Sequence, residues 1–231
     1  MWRRVVIVGF SLLGVTALLL LLLACVDVGP GEPAYDTINA TWLSDISHAL
    51  REYRAKHGGL PPQASSDANG RALLSWRVLL LPFLGEADLY RQFRLDEPWD
   101  SEHNRTLIGK MPDYYKTTGR HYRFSGEGKT CFLAIAEPGK PLGDLGPGAG
   151  LPNRDDRTIV VEANADCATI WTKPKDLSPS GGISKLRARV SGERSGRVVA
   201  ILANGKVIIA EPESLWNGNG VKGRYFQLDG E

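Results

Sequence analysis

Residues 96 to 104 read Asp96-Glu97-Pro98-Trp99-Asp100-Ser101-Glu102-His103-Asn104, the densest run of reactive and ligating side chains in the sequence. Four carboxylates and an imidazole so close together can hold a divalent cation. Alternatively, Trp99 can stack on a sugar ring while Asp96, Glu97, Asp100 and His103 hydrogen-bond its hydroxyls. The same residues also make an ordinary helix entry. Pro98 shapes the turn, Asp100 caps, the carboxylates favour the positive end of the helix dipole, and Trp99 packs. An EF-hand loop needs glycine at its sixth position, which is absent, so no metal is assigned.

Other chemistry is excluded by spacing. Gly126-Glu127-Gly128-Lys129-Thr130 ends like a phosphate loop, but Arg123 stands where the first glycine belongs and Cys131–Ile135 reads as strand rather than helix. The histidines His48, His57, His103 and His121 fit no zinc pattern, and there is no Cys-x-x-Cys, Gly-x-Ser-x-Gly or His-Glu-x-x-His motif. No catalytic residue and no cofactor is assigned; the chain is not read as an enzyme. Cys131 and Cys167 are either a disulfide across the Gly/Pro-rich segment, which an oxidising compartment would permit, or two buried thiols.

Charge and compartment narrow the field further. The 231 residues carry 28 Lys and Arg against 26 Asp and Glu. The surplus is Arg3 and Arg4, so the remainder is neutral and offers no field for nucleic acid. Behind those arginines, Val5 to Ala24 runs without a charge, long enough at ~1.5 Å per residue to cross a ~30 Å hydrocarbon core. Positive charge ahead of the run places the N-terminus in the cytoplasm and the rest outside. Three fates compete: an uncleaved anchor; a lipoprotein signal, in which Leu22-Leu23-Ala24-Cys25 resembles a lipobox and Cys25 is lipidated; and a type IV prepilin leader around Gly9-Phe10. Gly14 replaces the acidic residue of that leader, and Val5–Val8 separate its arginines from the glycine.

The elements that must position these residues follow from periodicity. Asp36 to His57 predicts an amphipathic helix with a stripe of Ile38, Trp42, Ile46, Ala49, Leu50 and Tyr53, capped by Asp36 and ended by Gly58-Gly59. Leu73 to Leu84 predicts a short buried helix broken at Pro82, followed by helices over 86–93 and 101–110. Tyr122–Ser125 and Thr130–Ala136 read as a hairpin, 137–156 as loop, and Thr158–Ala163 as a buried strand. Arg197–Ala203 and Lys206–Ala210 form a second hairpin, with Asn204-Gly205 read as a type I′ turn. Lys185, Arg187 and Arg189 alternate with Leu186, Ala188 and Val190, one charged face of an edge strand or a contact for anionic lipid or polysaccharide. Helices first and strands later imply an α+β domain on a mostly antiparallel sheet.

Two long blocks then carry a family resemblance: Leu74-Ser75-Trp76-Arg77-Val78-Leu79-Leu80-Leu81-Pro82-Phe83-Leu84, and Leu95 to Asn104. Ile159–Ala163, Trp171-Thr172-Lys173-Pro174-Lys175-Asp176-Leu177 and Ala203-Asn204-Gly205-Lys206-Val207 continue it. Together they resemble a family expanded in planctomycete bacteria, known as DUF1559 and also labelled bacterial extracellular solute-binding family 10, over roughly residues 40 to 220. That resemblance implies a pilin-like arrangement, an N-terminal helix packed on a β-sheet, and an extracellular binding role without transferable ligand residues.

The sequence therefore predicts a membrane anchor or lipoprotein signal over 1–28, a Gly/Pro tether over 29–35 and an extracytoplasmic domain over 36–231. The expected role is non-catalytic, structural or surface-interacting, with solute or glycan binding and a secretion-type pseudopilin as the alternatives. Its expected partners are membrane lipid, through the N-terminal segment, and a cell-surface protein or polysaccharide.

Overall fold

In the computed structural model the chain divides into Met1–Gly31 and Glu32–Glu231. The structure describes residues 32–118, 127–144, 155–192, 196–216 and 221–226, all in the second unit. Among the described residues no helix is long and apolar enough to cross a membrane. The run Val5–Ala24, Cys25 and the leader around Gly9 lie outside the described residues, as do Tyr122–Ser125 and residues 145–154 of the 137–156 loop.

The first helix, α1, spans Glu32–His57, one turn earlier than the sequence implies, so it takes in the last residues assigned to the tether. Asp36 is therefore no cap. It lies inside the helix, 1% exposed, with Arg197 Nη2 donating to its Oδ2 at 2.9 Å. The buried stripe is also rotated from the predicted one. Asp36, Asn39, Leu43, Ile46, Ser47 and Leu50 face inward, whereas Ile38 is exposed and Trp42 only half-buried. Three polar positions, Asp36, Asn39 and Ser47, displaced apolar ones because distant groups supply partners. Besides the Arg197 contact of Asp36, Asn39 Nδ2 donates to Glu162 Oε1 at 3.1 Å, Thr118 N and Oγ1 donate to Asn39 Oδ1, and Ser47 Oγ donates to Gly205 O. A buried polar group with its hydrogen bonds made costs little.

Beyond α1, β1 (Ala64–Ser66) pairs antiparallel with β2 (Ala72–Ser75), a strand where the sequence predicts only the start of a helix. Ser75 ends it and caps α2 (Trp76–Leu79), accepting from Arg77 N. Pro82 sits within a 3-10 turn, Leu81–Phe83, so the predicted break is present. The helix expected over 86–93 is a single α-turn, α3 (Ala87–Tyr90). That expected over 101–110 is α4 (Glu102–Arg105) followed by a 3-10 turn at Ile108–Lys110. These short elements wrap a core rather than lying along it, so their ends are set by packing.

The main sheet has five antiparallel strands in the order β4-β5-β7-β8-β9. They are β4 (Phe132–Ala134), β5 (Thr158–Glu162), β7 (Val198–Leu202), β8 (Val207–Ala210) and β9 (Gly223–Phe226). A smaller pair joins β3 (Lys129–Thr130) to β6 (Thr169–Ile170). Period-two alternation divides the five-stranded sheet between two cores. Phe132, Val160, Val199, Ile201 and Ile209 face α1 and the short helices. Leu133, Val161, Ala200 and Ile208 face the second core, with Leu186, Leu215 and Trp216. The result is a mixed α/β domain with antiparallel sheets, a sheet between two covering layers.

That second layer corrects another expectation. Lys185–Val190 is not an edge strand; Ile183–Arg189 is a helix, α5. Alternation in so short a run is compatible with either period. What decides is that Leu186 and Val190, four residues apart, are both buried while Lys185, Arg187, Ala188 and Arg189 are exposed.

The late hairpin forms where expected, but its turn differs. Among the described residues no non-glycine has positive φ, which excludes type I′ for Asn204. Gly205 N donates to Leu202 O at 2.9 Å and Leu202 N to Lys206 O at 2.9 Å, with Gly205 at φ +83. This is a three-residue connection in which glycine takes the left-handed position after an ordinary turn.

Candidate functional site

The 96–104 segment is organised by Asn104, which is fully buried. Its Nδ2 donates to the carbonyls of Arg94, Glu97 and Pro98, and its Oδ1 accepts from Arg94 N. One side chain thus fastens a five-residue loop, because an amide has donors and an acceptor in fixed geometry. Ser101, rather than Asp100, caps α4 by accepting from Asn104 N. Glu97 pairs with Arg94 at 3.0 Å, and Ser101, then Arg94, hold its carboxyl below the usual range by hydrogen bonding. His103 Nε2 lies 2.8 Å from Gln92 O. Asp96 and Asp100 are exposed.

Trp99 is half-buried against the first core, its backbone N donating to Leu73 O. The Lys173 ammonium sits 4.9 Å from its ring centre, a cation–π contact on a surface the glycan reading reserves for a sugar. Asp96, Glu97, Trp99, Asp100 and His103 are neighbours in sequence; the side-chain contacts of Glu97 and His103 stay within residues 92–104, whereas Trp99 reaches Leu73, Lys173 and the first core. Among the described residues no three His, Cys, Asp or Glu side chains are grouped to hold a metal.

Cys131 and Cys167 are both buried and carry no disulfide. Burial, first, pushes the Cys167 thiol up, against the Arg189 guanidinium 3.6 Å away. Among the predicted basic positions, Arg187 pairs with Glu213 at 3.2 Å.

Sequence reasoning missed a buried ion pair at α2. Arg77 Nη2 meets Asp176 Oδ1 at 2.8 Å, both side chains 0% exposed. Ser75 Oγ accepts from Arg77 Nη1, and Phe132 O from Nε and Nη2. Asp176 Oδ1 also accepts from Trp76 Nε1 and Ala134 N. Burial pushes the Asp176 carboxyl up, while Arg77 and these donors oppose it. The pair joins α2, β4 and the 171–177 segment, and it lies inside the core rather than in a cleft.

The described residues line a cleft with polar groups over an apolar floor, about 170 Å³ in volume. From α1 it takes Ser47, Leu50, Arg51 and Arg54, spaced so that they share a face. Ile159 and Ile201 form the floor, with Leu60 to one side and the 203–205 turn closing the end. Ile159 points there because β5 carries a bulge: Val160 pairs with Ile201 and Thr158 with Leu202, leaving Ile159 as the extra residue. Ser47 Oγ donates to Gly205 O at 2.7 Å, tying helix to turn. Arg51 and Arg54 are exposed at the rim. The sequence signal was the basic pair within the 47-50-51-54 helical face; the partner surface comes from strands more than 100 residues away and left none.

Comparison with family models matches residues 43–123 to SBP_bac_10, described as a protein of unknown function (DUF1559). The two long motif blocks fall inside that stretch and the later three outside it. Comparison with curated proteins and with solved structures gave no match.

Proposed function

Since residues 43–123 belong to the DUF1559 family, whose function is unknown, we propose that this chain is a membrane-anchored, extracytoplasmic domain with a non-catalytic, surface-interacting role. The observation that carries the reading is the uncharged run Val5–Ala24 behind Arg3 and Arg4, followed within a few residues by the start of α1 at Glu32. In the described residues α1 itself packs on the five-stranded sheet. The polar groups of the 96–104 segment support a structural role there, since Asn104, Glu97 and His103 hold the loop itself.

The test is the intact mass of the protein extracted from its native membrane. The expected species begins at Met1. An acylated species beginning at Cys25 replaces the helical anchor with lipid, and one beginning at Phe10 replaces the surface role with pseudopilin assembly. A shortened, unacylated chain in the soluble fraction overturns anchoring altogether.

The second reading, a solute-binding module, is favoured by the cleft beside α1 rather than by the Trp99 region. Its floor is apolar and its polar groups are few and grouped at the rim, the usual composition of a ligand site.

A further inference from the structure

The run Ala-Asn-Gly followed by a basic residue occurs twice among the described residues, as Ala68-Asn69-Gly70-Arg71 and Ala203-Asn204-Gly205-Lys206. Both stand at the tip of a hairpin connection of the same geometry. In the first, Gly70 N donates to Asp67 O and Asp67 N to Arg71 O, each at 3.0 Å. In the second, the matching bonds run from Gly205 N to Leu202 O and from Leu202 N to Lys206 O, each at 2.9 Å. The two glycines have φ +78 and +83. Local sequence and local backbone are therefore alike, and only the surroundings differ.

Asparagine before glycine is open to cyclisation, because glycine has no Cβ to shield its backbone nitrogen. That nitrogen, its proton lost to solvent base, attacks the asparagine Cγ. The N–Cγ bond forms, the Cγ–Nδ2 bond breaks, and the side-chain nitrogen leaves as ammonia, its third proton replacing the one the backbone gave up. Water then opens the cyclic imide. Opening at the side-chain carbonyl leaves an ordinary aspartate; opening at the main-chain carbonyl leaves an isoaspartyl link. The asparagine side chain must therefore swing onto the next nitrogen, and the turn bond from that nitrogen must open.

At Asn204 the surroundings oppose both motions. Its Oδ1 accepts from Lys206 N at 3.0 Å, and Gly205 O accepts from the buried Ser47 of α1 at 2.7 Å. A Cβ on Gly205 would stand 3.3 Å from Arg51 Cδ, so the turn lies against the helix. The strands it joins, β7 and β8, are buried throughout.

Asn69 is exposed, and among the described residues its side chain makes no hydrogen bond. Asp67 Oδ1 accepts from Asn69 N and Arg71 N, which shapes the backbone without holding the amide. A Cβ on Gly70 would meet nothing within 4 Å, so the room for an imide ring is present. The strands β1 and β2 are three and four residues long, and so short a pair opens more readily than core strands.

We propose that Asn69-Gly70 is a site of spontaneous deamidation in the folded protein, and that the contact of α1 with the β7–β8 turn withholds Asn204-Gly205 from the same reaction. The product places a new carboxylate beside the Asp67 turn, and its isoaspartyl form adds a methylene to the β1–β2 connection.

The test ages the full chain, in lipid nanodiscs, in mildly alkaline buffer. Each Asn-Gly peptide is then followed by mass spectrometry with fragmentation that separates aspartyl from isoaspartyl products. Conversion at Asn69 is expected to run about tenfold or more ahead of Asn204, the ratio set by one or two additional hydrogen bonds to break. In concentrated urea, where only the matching local sequences remain, the two rates should converge. Ser47→Ala removes the clamp and leaves the Asn204-Gly205 pair itself unchanged; it should raise conversion at Asn204 alone, with Asn69 as the internal reference. Absence of conversion at Asn69 in the folded chain overturns the site. Equal rates at the two positions in the folded chain, or a difference that persists in urea, overturn protection by the fold. An Asn204 rate unchanged in Ser47→Ala, or an equal rise at both positions, overturns the role of the α1 contact.

Discussion

At the scale of the residue, the decisive group is one whose chemistry is hidden. Arg77 and Asp176 are both 0% exposed, and charges in such surroundings are tolerated only when each is paired and hydrogen-bonded. Removing one partner strands the other. Arg77→Met is expected to cost about 3–5 kcal/mol in urea unfolding. Adding Asp176→Asn should recover a large part of that loss, since it removes the stranded charge but keeps an oxygen for Trp76 Nε1 and Ala134 N. Purely additive losses in the double variant would show that the two side chains act independently. The Arg in the first motif block and the Asp in the 171–177 block are visible in the sequence. Their pairing across 99 residues is not, because only the packing of α2 and the 171–177 segment against β4 brings them together.

Among the elements, the short ones show how tertiary context overrides local pattern. Asn204-Gly205 is the strongest two-residue hairpin signal in the chain, yet the ladder from Leu202 to Lys206 leaves three residues in the connection. Register here is fixed by the buried rows of β7 and β8, Val199↔Ile209 and Ile201↔Val207, and the turn adapts to it. Two substitutions separate the geometries. Gly205→Ala places a Cβ at φ +83 and against Arg51, and should destabilise the fold by about 1 kcal/mol or more, seen as a lowered urea midpoint with an unchanged slope. Asn204→Gly would stabilise a type I′ turn. Here it should be neutral or destabilising, because it removes the acceptor of Lys206 N. A raised midpoint for that variant would restore the type I′ assignment. For α5, the alternation over 185–190 was legible but not its period, which the buried pair Leu186 and Val190 settles.

On the scale of the whole molecule, one sheet serves two cores, and the larger is centred on aromatic rings. Tyr115 stacks on Trp171 with centroids 5.8 Å apart and meets Trp76 edge-on at 6.2 Å. Its hydroxyl donates to Arg77 O at 2.8 Å. Burial pushes the Tyr115 phenol well above its ordinary value, which is about 10. The folded chain therefore keeps a proton that the unfolded chain releases above that value, so stability falls as pH rises beyond it, by up to about 1.4 kcal/mol per pH unit from this group. Below pH 9 the group contributes no slope. Urea unfolding between pH 9 and 11 should show the loss, and Tyr115→Phe should flatten it while removing one hydrogen bond, worth about 1 kcal/mol. A slope that persists in Tyr115→Phe assigns the alkaline sensitivity elsewhere.

The sequence by itself determined the long first helix, the late hairpin and the buried strand at 158–162, because these depend on local periodicity, and it carried the contiguous motifs of the stretch that matches the family model. Helices first and strands later did not hold, since β1 and β2 precede α2 and α5 lies between β6 and β7. The sequence also determined the uncharged N-terminal run on which the proposed anchoring rests. Only the tertiary structure decided which polar residues of α1 turn inward, that Asn104 fastens the 94–98 loop, and that Arg77 meets Asp176. The cleft beneath Arg51 and Arg54 belongs to the same class, since its floor comes from β5 and β7 and exists only once a bulge turns Ile159 toward the helix. The physical reason is common to the first three. A polar side chain is written in sequence as a surface residue, and burial becomes favourable only when distant backbone and side-chain groups arrive to satisfy it.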